Sequence, residues 1–311
     1  MGGAVLRFVI GEKHGGLTVL QILRGVIGLS GGMIRHIKFL DEGILLNGER
    51  VTVRRVVKAG DLLELDTSDA SRNEKIKEYD LPLNIIYEDS DLVIPDKPPF
   101  MPTHPSHNHY DDTVANALAF RYRNMEEPFV FRPINRLDRN TSGALIIARN
   151  RIAAAELTRS MSEKKIRKRY IAVLDGALPD DEGVIETYMR RTAQSIIVRE
   201  VCGREEGADY ALTKYKVIAR SDTNTLVSAQ PVTGRTHQIR VHFSSLGCPL
   251  VGDELYGRGS DDIARHALHS YEIAFPHPSS KQTVSVKAPL HDDMNRLLRK
   301  LFSYKDIDND F

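Results

Sequence analysis

A single carboxylate lies among arginines in the densest polar stretch of the chain. Segment 131–143, FRPINRLDRNTSG, places Asp138 between two strand-like stretches and beside three arginines, Arg132, Arg136 and Arg139. Nearby guanidinium groups favour the charged form of a carboxyl group and lower its pKa. An ionised carboxylate suits a nucleophile, which must be unprotonated, and does not suit a general acid. The alternative is an ordinary Asp–Arg turn that residues 141–143 close.

A second polar segment, 231–243, contains a predicted tight turn at Gly234, followed by Arg235 and His237. We predict a strand from residue 236 onward. Its alternation would put four polar side chains on one face, namely Thr236, Gln238, Arg240 and His242. A bidentate pair with a carboxylate would satisfy such an arginine, and a salt-bridged sheet edge is the alternative.

The sharpest charge asymmetry lies in segment 159–170, RSMSEKKIRKRY, which has six basic residues and one acid, Glu163. Its lysines are Lys164, Lys165 and Lys168. Such a run is often only the solvated end of a helix. With Tyr170 at the start of a strand, it could instead bind phosphates and stack a base.

Other patterns exclude several classes of site. The histidines at 104, 107 and 109 fit no usual metal-ligand spacing, although a metal-dependent hydrolase remains an alternative. Gly28–Gly32 matches the G-x-S-x-G pattern of hydrolases, but a helix precedes it, so we interpret Ser30 as a helix cap. No phosphate-binding glycine motif follows a strand, and we expect no cofactor and no metal.

Composition bounds the remaining classes. The 311 residues include 43 Lys and Arg against 42 Asp and Glu, a net charge of +1. This balance argues weakly against a nucleic-acid partner, but net charge does not say where charges lie. No apolar run approaches the ~18 residues of a membrane helix, and residues 1–16 lack the pattern of an export signal, so we do not expect export. Two cysteines form no disulfide framework. We expect a soluble, cytoplasmic protein.

Residues 1–66 are predicted to form a compact unit. A strand at 3–10 precedes a helix from Val19, and a second helix carries Arg35 and Lys38 on its outer face. Asn47-Gly48 between apolar stretches predicts a hairpin. Residues 67–80 are polar and are interpreted as a linker.

Residues 81–303 are predicted to form an α+β domain on a mixed, mainly antiparallel β-sheet. Strand-like runs dominate, and helical patterns occur at 113–122 and 150–162, the second with Asn150 as its N-cap. Residues 304–311 form a short acidic tail, which is predicted to fray.

Several ordered segments resemble the RluA-type family of RNA pseudouridine synthases between about residues 84 and 290. They are Lys97-Pro98, NRLDRNTSG at 135–143, KRYIAV at 168–173, GRTHQIRVH at 234–242, GDELYG at 252–257 and ALH at 267–269. Residues about 17–66 resemble a ribosomal-protein-S-four-like RNA-binding domain.

The resemblance implies a split sheet with a central cleft and an isomerase that converts uridine to pseudouridine. It implies that Asp138 is the catalytic aspartate, that Tyr170 stacks on the base and that Arg240 pairs with Asp138. Asn135 departs from the histidine of many members, and we expect it to adjust contacts around the flipped nucleotide. The residues expected to contact RNA are Arg35, Lys38, Arg136, Arg139, Lys164, Lys165, Lys168, Arg235 and His237.

Three hypotheses follow. The first is a monomeric isomerase acting on RNA, with ribosomal RNA preferred over transfer RNA by association only. The second is a non-catalytic RNA-binding or ribosome-assembly protein, which the presence of Asp138, Tyr170 and Arg240 disfavours. The third is the metal-dependent hydrolase.

Overall fold

The first 66 residues contribute a four-stranded antiparallel sheet. The computed structural model describes residues 5–29, 31–66 and 76–302, apart from the side chains at positions 32, 33 and 36. The strand order in this sheet is β1-β4-β2-β3. Its strands are β1 (Val5–Val9), β2 (Ile44–Leu46), β3 (Glu49–Arg50) and β4 (Leu62–Asp66). Asn47 and Gly48, both at positive φ, form the predicted hairpin between β2 and β3.

Short helices cover this sheet with apolar side chains. A 3-10 turn (Glu12–His14) precedes α1 (Val19–Gln21), which continues as a π-helical turn (Ile22–Val26) and is followed by α2 (Gly31–Ile37). Thr18 and Gln21 form a capping box that starts α1. The helix from Val19 is thus confirmed, whereas the predicted cap Ser30 lies outside the described residues.

The larger sheet has twelve strands and is antiparallel except where β8 pairs with β15. The α+β prediction is confirmed. The strands are β5 (Asn84–Glu88), β6 (Leu92–Lys97), β7 (Arg132–Pro133), β8 (Ser142–Ala144), β9 (Ile147–Ala148), β10 (Arg167–Asp175), β11 (Glu182–Arg191), β12 (Arg199–Cys202), β13 (Asp209–Arg220), β14 (Asn224–Pro231), β15 (Leu268–Pro276) and β16 (Thr283–Lys287).

Four helices pack against this sheet, namely α3 (Val114–Asn124), α4 (Arg151–Ser162), α5 (Gln238–Ser245) and α6 (Asp292–Phe302). Alternation along β10 divides the core between the two faces. Tyr170 and Ala172 pack in the cluster that contains α3 and α5, whereas Ile171 packs in the cluster that contains α6. Asn150 caps α4, as predicted, by accepting a hydrogen bond from Ala153 N.

The predicted strand from residue 236 is wrong, because this segment is helix α5. Its apolar residues occupy positions 239, 241 and 243, a period of two that imitates a strand. Gln238 and His242 are four residues apart, and both contact Thr213 Oγ1, at 2.9 Å. On a helix such residues share a face. The helix is buried on nearly all sides, so its sequence does not show the separate polar and apolar faces of an amphipathic helix.

Replacing Gly143 with alanine should destabilise the larger sheet. Gly143 has φ +105°, and a Cβ there would lie 2.3 Å from the backbone oxygen of Ser270. We expect the free energy of unfolding to fall by about 2 kcal/mol or more, as measured by urea denaturation. Gly48→Ala is the control, because Gly48 has φ +81° with open space around it, and backbone strain alone costs about 1 kcal/mol. Equal losses would contradict the steric argument.

Candidate active site

The loop that carries Asp138 runs from β7 to β8, and three distant side chains hold its carbonyl groups. Thr103 Oγ1 donates to Leu137 O at 3.1 Å. Lys97 Nζ donates to Arg139 O at 2.9 Å and also to two carbonyls of its own segment. Arg265 Nη1 donates to Asn140 O at 3.0 Å. Burial lowers the pKa of Lys97 to about 7, but three carbonyl acceptors require all its ammonium protons and so favour the charged form.

Two buried histidines hold the end of this loop. His266 Nε2 lies 2.8 Å from Thr141 Oγ1, and His269 Nδ1 lies 2.9 Å from Ser142 Oγ. Burial lowers the pKa of both rings, so both are neutral. Each ring forms one hydrogen bond with its hydroxyl partner. The Asp138 loop is therefore fixed by residues far away in the sequence.

The Asp138 carboxylate faces helix α5. Its Oδ2 lies 3.3 Å from Arg240 Nη1 and 3.9 Å from His237 Nε2, and 27% of the side chain is exposed. Two of the arginines beside it in the sequence, Arg136 and Arg139, form no ion pair with this carboxylate. Arg139 Nε donates to Phe100 O, and exposed Arg136 has no hydrogen bond or ion pair with any described residue. The expected cationic setting exists, but Arg240 supplies it.

Arg240 is held chiefly by Asp253. Its Nε and Nη2 each donate to one oxygen of the Asp253 carboxylate at 2.7 Å, and its guanidinium lies 4.9 Å from the centre of the Tyr256 ring. Burial alone would lower the pKa of Arg240, but the Asp253 carboxylate outweighs it and raises the pKa. The bidentate pair that the sequence predicted therefore forms with Asp253, and it points the remaining Nη1 at Asp138.

His237 begins α5 in the left-handed region, at φ 59°. Its Nδ1 lies 2.8 Å from the hydroxyl of Tyr256, which also accepts a hydrogen bond from Arg199 N at 2.9 Å. Burial lowers the pKa of His237 more than nearby Asp138 raises it. A neutral ring is therefore fixed beside the Asp138 carboxylate.

Tyr170 lies on β10, on the sheet face that packs against α5, and is 7% exposed. Burial raises the pKa of Tyr170 to about 12, and the charge of Asp138 adds to this effect, whereas a hydrogen bond with Ser270 opposes it. The hydroxyl keeps its proton at neutral pH. Asn135 lies near the other end of the segment, where its Oδ1 accepts a hydrogen bond from Ile146 N at 3.0 Å.

The other residues expected to contact RNA are spread over the molecule. Lys164 and Lys165 are exposed beyond α4, and Lys165 pairs with Glu163. Arg235 pairs with Asp209 at 3.0 Å and lies two residues before His237 in the sequence. Arg35 and Lys38 are exposed at α2. Segment 159–170 is therefore not one continuous patch, since β10 turns Lys168 inward and Arg169 towards Glu272.

Sequence reasoning missed several residues that support the site. Asp253 lies in the GDELYG segment, but its pairing with Arg240 was not predicted. Arg265, which is fully buried, pairs with Asp293 at 2.6 Å and was not predicted to support the loop. In the sequence, Asp253 and Arg265 are single charged residues near apolar stretches. Only the tertiary fold brings them to the site.

Within the described ranges, no group of three or more His, Cys, Asp or Glu side chains is placed to bind a metal ion. None of the helices there has the length and apolar character to span a membrane. The two cysteines, Cys202 and Cys248, are free thiols.

We expect the protein to lose stability in mild acid because of two buried histidines, His242 and His269. Burial lowers the pKa of His242 and His269 to about 4. Both pKa values lie below the histidine pKa of about 6.5 in the unfolded chain. The neutral rings therefore contribute their full stability above about pH 6.5, and this contribution falls as the pH approaches 4. Each histidine should remove about 1.4 kcal/mol per pH unit within that window. Urea unfolding between pH 7 and 5 measures this slope. His242→Gln and His269→Gln should each make it shallower, and an unchanged slope would refute the assignment.

Comparison with known proteins agrees with this geometry. The family of RNA pseudouridylate synthases matches residues 91–245, which include Asp138, Tyr170 and Arg240. The uncharacterized RNA pseudouridine synthase YjbO of Bacillus subtilis is 36% identical over 275 residues, covering 88% of this chain and 96% of that protein. Ribosomal large subunit pseudouridine synthase D of Xanthomonas campestris is 32% identical, covering 83% of this chain and 80% of its own length.

A solved structure, human RNA pseudouridylate synthase domain containing 1, superposes with a TM-score of 0.59 at 28% identity, covering 73% of this chain and 92% of its own. These relatives and this fold leave one assignment: the chain belongs to the RluA-type family of RNA pseudouridine synthases.

Proposed function

We propose that the protein isomerises specific uridines to pseudouridine in structured RNA, with Asp138 as its essential catalytic residue. The observation that carries this proposal is a partly exposed carboxylate, held by an anchored loop, that faces a buried arginine at 3.3 Å. The reaction breaks the bond between carbon-1 of the ribose and nitrogen-1 of uracil and forms a bond from carbon-1 to carbon-5, while carbon-5 loses a proton and nitrogen-1 gains one. It needs no redox change and no group donor, and an ionised, positioned carboxylate is suited to act on the ring or on the ribose.

Arg240 is proposed to orient Asp138 towards the nucleotide. Since Asp253 holds two nitrogens of the Arg240 guanidinium, the third nitrogen, Nη1, is fixed in its direction towards Asp138. Tyr170 is proposed to stack on the target base after the base leaves its own stack, a step that costs a few kcal/mol. Its protonated hydroxyl suits a stacking and hydrogen-bonding residue better than a base.

The surface residues expected to contact RNA are proposed to bind its phosphates. Arg136 is the strongest of these candidates, because it is exposed two residues from Asp138 and has no partner among the described residues. Arg139 follows Asp138 directly and Arg235 precedes α5, whereas Lys164 and Lys165 are exposed between α4 and β10. Arg35 and Lys38 belong to the proposed ribosomal-protein-S-four-like domain at 1–66, which precedes the proposed linker at 67–80 and catalytic domain at 81–303.

Ribosomal RNA is the proposed substrate, because a similar protein of Xanthomonas campestris is named for the large ribosomal subunit. Transfer RNA is the alternative. We further propose a monomeric protein that works in the cytoplasm, where ribosomal RNA is made in bacteria. The decisive experiment maps pseudouridines in all RNAs from cells with and without this protein. Sites lost from large-subunit RNA support the proposal, sites lost from transfer RNA favour the alternative, and no lost site refutes both.

A further inference from the structure

Lys168 is a buried cation without a counter-charge. The residue is 8% exposed, yet its ammonium group has no hydrogen bond or ion pair with any residue that the structure describes. Desolvation lowers its pKa, with no neighbouring charge to oppose this. Burying an unpaired ammonium group is unfavourable by several kcal/mol, so an apolar residue would stabilise the free protein more. A lysine at such a position indicates a requirement other than folding.

The neighbours of Lys168 place its ammonium group beside the turn that leads to α5. Along β10 it precedes Tyr170 by two residues, and the register of β10 against β15 shifts between Arg169 and Tyr170. Tyr170 pairs with Ala229 of β14, and Lys168 therefore lies where β14 ends and the chain turns towards α5. Its Nζ is 3.6 Å from the position that a Cβ would take on Gly234. Three residues later, His237 contacts Asp138.

The ammonium group is accessible to a ligand. Nζ has no partner among the described residues and is not one of their wholly inaccessible side-chain atoms, so it retains some contact with solvent. Gly234 leaves room above it because it has no side chain. Arg235, the next residue, already pairs with Asp209 and does not compete for the same anion.

We propose that Lys168 binds a backbone phosphate of the RNA beside the uridine that is modified. This inference rests on the proposed function. A compact ammonium group binds phosphate as a point charge, and each nucleotide of the substrate brings one such anion. A phosphate held here lies between Tyr170 and the turn at Gly234, so it would fix the nucleotide backbone while the base enters the site.

The test compares wild type with Lys168→Met, which keeps the length and removes the charge. The probe is large-subunit ribosomal RNA transcribed in vitro, whose binding is measured over a range of salt concentrations. We expect affinity to fall about tenfold and the slope of log affinity against log salt to become shallower by about 0.7 to 0.9, as for one lost phosphate contact. Lys216→Met is the control, because Lys216 is exposed on β13, and it should change neither value.

Thermal unfolding separates a ligand-binding lysine from a structural one. Removing an unpaired buried charge should raise the Tm of the free protein by about 2 °C or more. A fall in Tm, or a lost affinity with an unchanged salt slope, would overturn the proposal. The latter result would indicate contact with the base rather than with phosphate.

A measurement without RNA keeps this inference separate from the proposed function. Inorganic phosphate should raise the Tm of wild type more than that of Lys168→Met, at ionic strength matched with chloride. If wild type forms no pseudouridine but this difference holds, the proposed function fails and the anion site stands. If pseudouridine forms normally and the phosphate effect is equal in both proteins, the anion site is wrong.

Discussion

Asp138→Asn should abolish pseudouridine formation while leaving RNA binding almost intact. Asparagine keeps the size of the side chain and can still accept a hydrogen bond from Arg240 Nη1, but it removes the carboxylate charge. Losing an essential nucleophile or charged group typically reduces kcat by about 10⁴-fold or more. The measurement is single-turnover conversion on an RNA that the wild type modifies, together with the Kd for the same RNA.

Asp175→Asn is the matched control for this variant. Asp175 also pairs with an arginine, Arg258, at 2.8 Å, and its side chain is 25% exposed, close to the 27% of Asp138. It lies at the end of β10 away from the Asp138 loop and should retain activity. Activity of Asp138→Asn within tenfold of wild type would exclude Asp138 as the essential residue, whereas loss of RNA binding would show a structural effect.

Arg240→Met should have the largest effect on stability. It leaves the Asp253 carboxylate, which is fully buried, without its bidentate partner. Breaking one side of a buried ion pair typically costs about 3 to 5 kcal/mol. We expect urea denaturation to show a loss of this size. Activity should fall by at least about a hundredfold, because Asp138 loses the group that orients it.

A double variant separates the two consequences of this change. In Arg240→Met/Asp253→Asn the unpaired charge is gone, and the new amide oxygen at position 253 can still accept hydrogen bonds from Leu255 N and Tyr256 N, as Asp253 Oδ1 does. Stability should recover by about 1 to 3 kcal/mol over the single variant, and activity should not. Arg258→Met, at a side chain 80% exposed, should cost less than about 1 kcal/mol. Recovered activity in the double variant would contradict an orienting function for Arg240.

Local signals in the sequence were sufficient for the elements with strong turn or cap chemistry. Asn47-Gly48 predicted its hairpin because few dipeptides accept positive φ at both positions, and Asn150 predicted the start of α4 through its side-chain oxygen. The same reasoning failed for α5. There, apolar residues at every second position and a largely buried surface gave the periodicity of a strand, and only the contacts of Gln238 and His242 with Thr213 reveal the helix.

The candidate site was predictable as far as its motifs extend. Asp138 and Arg240 were placed together by resemblance, and they lie 3.3 Å apart. The cationic setting was predicted from Arg132, Arg136 and Arg139, whereas the arginine in contact with the Asp138 carboxylate is Arg240, which the fold brings there from α5. Arg265 could not be assigned, since its contact with Asn140 spans more than a hundred residues and depends on the strand order of the finished sheet. The pair of Asp253 with Arg240 spans only 13 residues, but it depends on the helix α5 that the sequence pattern failed to predict.

The parallel pairing of β8 with β15 determines how late in the synthesis of the chain the Asp138 loop can be fixed. His269 pairs with Ser142 across these strands, so the Asp138 loop waits for residues synthesised more than a hundred positions later. At about 5–20 residues per second, the nascent chain carries a complete Asp138 segment for several seconds before its anchors exist. The small sheet, by contrast, has all its strands within the first 66 residues. A chain that ends before residue 266 therefore contains the aspartate, the tyrosine and the arginine, but lacks the two histidines that fix the end of the loop.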